Sequence, residues 1–210
     1  MIKILIASLA IFATSIKAQT VAVVPMAFDT VIDKGIYKSY YSKTYRLPVA
    51  VTYTLHKGGG DASRSNDNFI NDISKLNVLT GRDYAGTGFD KGHLVPAEDF
   101  AFSDSLQDLT FRYYNCVPQL PALNRGKWKV LEGKARKQSQ SSRICVVNLV
   151  TYGQKDASGM YLPTVCYKAI YNLYDNTRLW IFGYENNAQT KERIPTPEII
   201  FICDLLFYSR

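Results

Sequence analysis

The 210-residue chain is 47% hydrophobic and 20% charged, with 13 glycines and 8 prolines, which excludes a disordered, collagen-like or coiled-coil protein. Its length suits one well-buried globular unit. A formal charge of +7 favours polyanionic partners such as nucleic acid or an anionic surface without choosing between them.

Residues 1–18, MIKILIASLAIFATSIKA, carry a basic start at Lys3, an apolar run from Ile4 to Ile16 and a small residue, Ala18, before Gln19. This pattern is expected of a secretory signal peptide, so residues 19–210 are expected to form a single exported domain, periplasmic or extracellular. The apolar run is short for a bilayer span, which makes an uncleaved anchor the weaker reading. Four cysteines follow, Cys116, Cys145, Cys166 and Cys203. An even number in an oxidising compartment leads to an expectation of one or two disulfides, with Cys145 and Cys166 in runs that could be neighbouring strands.

Leu47 to His56 alternates apolar and polar residues and reads as a half-buried strand. His56, on its polar face, reads as an ordinary surface histidine. Lys57 to Asp67, with three consecutive glycines, is a loop that carries Arg64. Asp83 to Phe100 then surrounds the second of the chain's two histidines, His93, with Gly86, Gly88 and Gly92, the charged pair Asp90 and Lys91, and Pro96. Glycines allow tight turns, and the backbone reads as shaped to present His93.

Thr110 to Gln119 is rich in β-forming residues and contains Asn115. A helical run follows from Lys127 to Lys137, with Trp128, Leu131 and Ala135 on one buried face. Extrapolated at about 100° per residue, Asn124 projects along that face and Glu132 lies at its edge, roughly 80° away. Spacing alone favours a plain helix start, with Asn124 as a cap and Glu132 as an exposed acid. Ile144 to Val150, Thr164 to Tyr171 and Leu179 to Tyr184 read as strands, and Thr196-Pro197-Glu198 as the start of a helix through Phe207.

One histidine, an inward asparagine, an acid on a helix and scattered basic residues suit phosphodiester hydrolysis. A neutral imidazole can take a proton from water at neutral pH. Charge developing on the phosphate and leaving oxygen calls for a divalent cation and a guanidinium or ammonium. Mg²⁺ tolerates a site with few protein ligands, all of them oxygens.

Asp90-Lys91-Gly92-His93-Leu94-Val95-Pro96 resembles the signature of the DNA/RNA non-specific endonuclease family, Asp-Arg-Gly-His followed by an apolar residue, another residue and proline. Arg64 with Phe69 and Asp72, then Asp83-Tyr84 upstream, and Thr110-Phe111, Asn115, Pro118-Gln119, Leu123-Asn124, Gly126, Trp128 and Leu131-Glu132 downstream, resemble the family in order and spacing. Leu162-Pro163-Thr164 through Lys168 resembles a later strand more weakly. The resemblance implies an α+β, ββα-metal fold with a central antiparallel sheet flanked by helices. It implies an Mg²⁺-dependent endonuclease acting on DNA and RNA, with Mn²⁺ as a substitute, leaving a 5′-phosphate.

By position, it implies His93 as general base, Asn124 as direct metal ligand and Glu132 as acceptor for metal-bound water. Asn115 would orient the site, and Arg64 and Arg136 would contact phosphate. Lys91 replaces the family's usual arginine, exchanging a bidentate fork for a point charge. Asn148-Leu149 stands where the family often has a glycine. A nucleic-acid-binding protein with weakened catalysis and a phosphodiesterase for small substrates remain alternative readings.

Overall fold

The computed structural model describes residues 27–63 and 68–210. The leader-like stretch at residues 1–18 and Arg64 lie outside the described residues. Among the described residues there are nine strands: β1 (Thr30–Asp33), β2 (Tyr37–Ser42), β3 (Leu47–Leu55), β4 (Asp90–His93), β5 (Cys116–Gln119), β6 (Ile144–Lys155), β7 (Tyr161–Asn172), β8 (Arg178–Glu185) and β9 (Glu192–Arg193). Two short helices, α1 (Gly81–Tyr84) and α2 (Asp104–Asp108), precede two longer ones, α3 (Lys129–Ser139) and α4 (Pro197–Tyr208).

Seven strands form one antiparallel sheet in the order β1-β2-β3-β6-β7-β8-β9, while β4 and β5 form a separate antiparallel pair. The fold is therefore α+β, with a large antiparallel sheet and few helices. One face of the sheet, including Val51, Tyr53, Val146 and Ile170, packs against Leu94 and Trp128 beneath the β4–β5 pair and α3. The other face, including Ala50, Val147, Leu149 and Tyr171, packs against Ile202, Cys203, Leu206 and Phe207 of α4. Tyr171 stacks on Phe207 with ring centroids 4.2 Å apart. The Thr196 side chain accepts from the Ile199 amide and Pro197 opens the helix, as the sequence indicates.

Covering both faces changes the reading of β3. Alternation suggests a half-buried strand, but on the polar-looking face Ala50 packs in the cluster that includes α4, and Thr52 is buried too. The run Thr110–Gln119, rich in β-forming residues, is strand only at its end. Tyr113–Asn115 is a turn of 3-10 helix, and only Cys116–Gln119 pairs as strand.

The disulfide expectation is corrected: all four cysteines are buried free thiols. Cys145 faces Tyr171 on β7, whereas Cys166 faces Val150 on β6. Five residues of offset along a strand amount to roughly 16 Å, against a disulfide Cα separation of about 4.4–6.8 Å. The odd offset also sends the two thiols to opposite faces, Cys166 toward Trp128 and Cys145 toward α4. Burial pushes each thiol up to about 12.

Candidate active site

Strand β4 carries the motif and β5 holds it in register, with His93 opposite Cys116 and Asp90 opposite Gln119. Gly92 is required by packing rather than by φ. A Cβ there would overlap the Gln119 side chain, which lies buried beneath the strand. Gly86 and Gly88, by contrast, have φ of +73° and +76° and make the turns that lead into β4. Asn186 fastens β5 to the main sheet by donating to the Pro118 carbonyl (2.9 Å) and accepting from the Leu120 amide (2.8 Å).

His93 is half-buried and its ring is confined by two phenylalanines. Phe69 lies at 4.7 Å between centroids, and Phe111 meets it edge-on at 4.9 Å. Lys91, two residues earlier and so on the same strand face, places its ammonium 5.0 Å from the Phe69 centroid. Phe69 is thus a shared wall between the candidate base and the motif lysine. Asn115 is wholly buried. Its amide nitrogen donates to the carbonyls of Val95 (3.0 Å) and Thr110 (2.8 Å), and its amide oxygen accepts from the Val95 N–H (2.9 Å). That clamp ties the chain at Val95, two residues after His93, to Thr110.

Leu123–Trp128 forms a wide π turn broken at Gly126, whose φ of −107° and ψ of −108° are not helical. The helical phase extrapolated from α3 back to Asn124 therefore does not apply. Asn124 is placed instead by a bond from its Nδ2 to Asp90 Oδ2 at 2.9 Å. Arg125 grips both oxygens of Asp90, at 2.9 and 2.6 Å. Burial raises the Asp90 pKa, but the bonds from Arg125 and Asn124 outweigh it and hold the carboxyl below its usual range. Trp128 is fully buried and donates from Nε1 to the His93 carbonyl at 3.0 Å. The turn is therefore tied to both ends of β4.

Because Asp90 takes the NH₂ group of Asn124, the amide oxygen is the atom left for a ligand. An uncharged oxygen donor with a partly buried glutamate, Glu132, on the helix that follows suits a hard divalent cation. Arg136, one turn beyond Glu132, gives Nη1 to Asp99 at 2.8 Å. Asp99 is completely buried and also accepts from Tyr53 at 2.6 Å. Burial raises the Asp99 pKa and prevails over Tyr53 and Arg136, which pull it down.

The sequence reading assigned no role to Asp90, Phe69, Phe111 or Trp128, although all four belong to the motif run or its resembling flanks. Two further groups went unassigned, Asn148 and the fully buried Lys168. A lysine inside an otherwise apolar strand run, YKAIY, was the one available signal.

The family model described as DNA/RNA non-specific endonuclease matches residues 20–205. Bovine mitochondrial endonuclease G is 39% identical over 79 residues, covering 37% of this chain and 26% of that protein. A nuclease of Syncephalastrum racemosum is 36% identical over 124 residues, 56% of this chain and 39% of that protein. The matched stretches thus span less than half the length of these relatives. A crystal structure of the EndoG/EndoGI complex shares the fold with a TM-score of 0.68 at 22% identity, covering 85% of this chain and 84% of that chain. With a ββα unit of β4, β5 and α3, and a family match across nearly all of its length, the chain belongs to the DNA/RNA non-specific endonuclease family.

Proposed function

We propose that this protein is an exported, Mg²⁺-dependent endonuclease that hydrolyses DNA and RNA with little sequence preference, using His93 as general base. The observation that carries the reading is the double tether of β4 to the π turn, Asp90 to Asn124 and the His93 carbonyl to Trp128. It keeps a proton acceptor and an oxygen ligand in fixed relation within one ββα unit.

In this mechanism His93 accepts a proton from the attacking water, with Phe69 and Phe111 limiting where the ring can lie. Lys91 presents positive charge on the same strand face, toward the phosphate. Asn124 would hold the cation through its amide oxygen, with Glu132 as the acidic group of the site. When bound, Mg²⁺, or Mn²⁺ in its place, stabilises negative charge on the phosphate and leaving oxygen. Arg136 has guanidinium donors beyond the one given to Asp99, and with Arg64 it is assigned to phosphate. Contacts to phosphates carry no sequence information, which accounts for low specificity. Export rests on the leader's basic start and apolar run, without the arginine-rich amphipathic character of an organellar transit peptide.

Supercoiled plasmid and RNA incubated with Mg²⁺, Mn²⁺ or EDTA test the activity. Cleavage with either cation and none with EDTA is expected; cleavage unaffected by EDTA contradicts the proposal. Bis-p-nitrophenyl phosphate hydrolysed far faster than polymer would move the assignment to a small-substrate phosphodiesterase. Fractionation of cells making the full chain tests export.

A further inference from the structure

We infer that Lys168, buried in the main sheet, is a positioning residue for the candidate base, acting with Asn148 on the backbone at His93 and Leu94. The inference rests on His93 being the base. Lys168 and Asn148 are direct cross-strand partners on β7 and β6, and neither is exposed to solvent. The Lys168 ammonium donates to Asn148 Oδ1 at 2.6 Å, and Asn148 Nδ2 donates to the Leu94 carbonyl at 2.9 Å. The same ammonium lies 4.5 Å from the centre of the Trp128 ring, whose N–H holds the His93 carbonyl at 3.0 Å. Two consecutive carbonyls, one of them belonging to His93, are thus held by donors that a single buried cation backs.

The chemistry of the pair makes the arrangement one-way. An ammonium only donates, so it fixes which end of the Asn148 amide faces it and thereby turns the NH₂ toward Leu94. A neutral side chain at position 168 removes that instruction and leaves a buried amide oxygen without its partner. Keeping a charge inside a protein is expensive, and a methionine of similar length would fill the space without that cost. Burial pushes the Lys168 ammonium below its ordinary range, while the charges of Glu132 and Asp99 pull it back up. Both carboxylates belong to the region around α3, so the cation is also electrostatically linked to the site's acidic groups.

The chain has two histidines, which gives a direct readout. Protein labelled with ¹³C-histidine shows two ring signals, and exposed His56 serves as the internal control. Lys168→Met and Asn148→Asp are compared with the unmodified chain for melting temperature, kcat and KM on duplex DNA, and ring signals. Asn148→Asp keeps an acceptor for Lys168 but has no donor for Leu94. Expected in both is a displaced His93 signal, an unmoved His56 signal, and kcat lower by about 10- to 100-fold with KM changed less than about twofold. Should Lys168→Met yield no folded protein, Asn148→Asp decides alone by the same criteria. Folded variants with an unmoved His93 signal and unchanged kcat overturn the inference. A His93→Ala control at full rate would instead overturn the base assignment, and the ring signals would still report whether Lys168 positions the residue.

Discussion

The side-chain amide of Asn124 donates to the carboxylate of Asp90 at 2.9 Å, joining the candidate metal ligand to the first residue of the histidine motif. Asp90 thereby orients the ligand it does not itself provide. Partners of this kind commonly change metal affinity about 10- to 100-fold when removed. Asp90→Ala should raise the Mg²⁺ concentration for half-maximal plasmid cleavage by at least about tenfold. An unchanged midpoint in a cation titration would contradict this role.

Lys91 shares the Phe69 wall with His93 and lies where an arginine could stack on the same ring. A guanidinium adds a bidentate fork for phosphate. Lys91→Arg should raise kcat severalfold in steady-state cleavage of duplex DNA. A rate equal to or below that of the unmodified chain counts against the phosphate role.

Gly92 has no room for a methyl group against Gln119. Gly92→Ala should destabilise the protein by about 1–3 kcal/mol, the usual cost of overpacking. Adding Gln119→Ala should return part of that loss if the overlap is its cause. Urea denaturation of the two single variants and the double variant gives the coupling, and independent effects would refute the steric account.

The motif around His93 was legible because its residues are adjacent in the chain. Its partners were harder to place. Asn124 could be nominated from the family pattern, but its helical phase could not be computed through the break at Gly126. The alternation of β3 grouped Val51, Tyr53 and Leu55 on one face, but Val49 falls with Ala50 on the other at a bulge, and that face is buried because α4, some 150 residues later in the sequence, covers it. β1 and β2 carry few clean alternations and were not anticipated. Lys168 stands out in the sequence only as a lysine within an apolar strand run; its complete burial and its partners are revealed by the packed sheet.

Burial raises the pKa of Asp72 and Asp83, but their hydrogen bonds and ion pairs more than offset this and hold both below the ordinary carboxylate range, as at Asp90. Asp72 accepts from Lys34 at 2.9 Å, Arg112 at 3.0 Å and Tyr114 at 2.6 Å. A folded-state value below the unfolded one gives stability that is present above the unfolded value, about 3.9, and lost as pH falls through it toward the folded value. The urea midpoint should therefore drop steeply below about pH 4. Asp72→Asn should flatten that decline; an identical pH profile would exclude Asp72 as its source.

Removing the Arg136 side chain leaves Asp99 buried without its ion-pair partner. Such a loss typically costs about 3–5 kcal/mol. Arg136→Ala should lower the melting temperature as well as activity, and a variant of unchanged stability would mean that the ion pair contributes little. The buried thiols give a parallel check on the core, since Ellman's reagent should find all four cysteines only after unfolding.

The central claim is that His93 is the general base. Plasmid hydrolysis in saturating Mg²⁺ by His93→Ala, with His56→Ala as the exposed-histidine control, tests it most directly. A His93→Ala rate lower by at least about 100-fold in a protein of normal melting temperature, beside an unchanged His56→Ala rate, is expected. Full hydrolysis by folded His93→Ala would contradict the account.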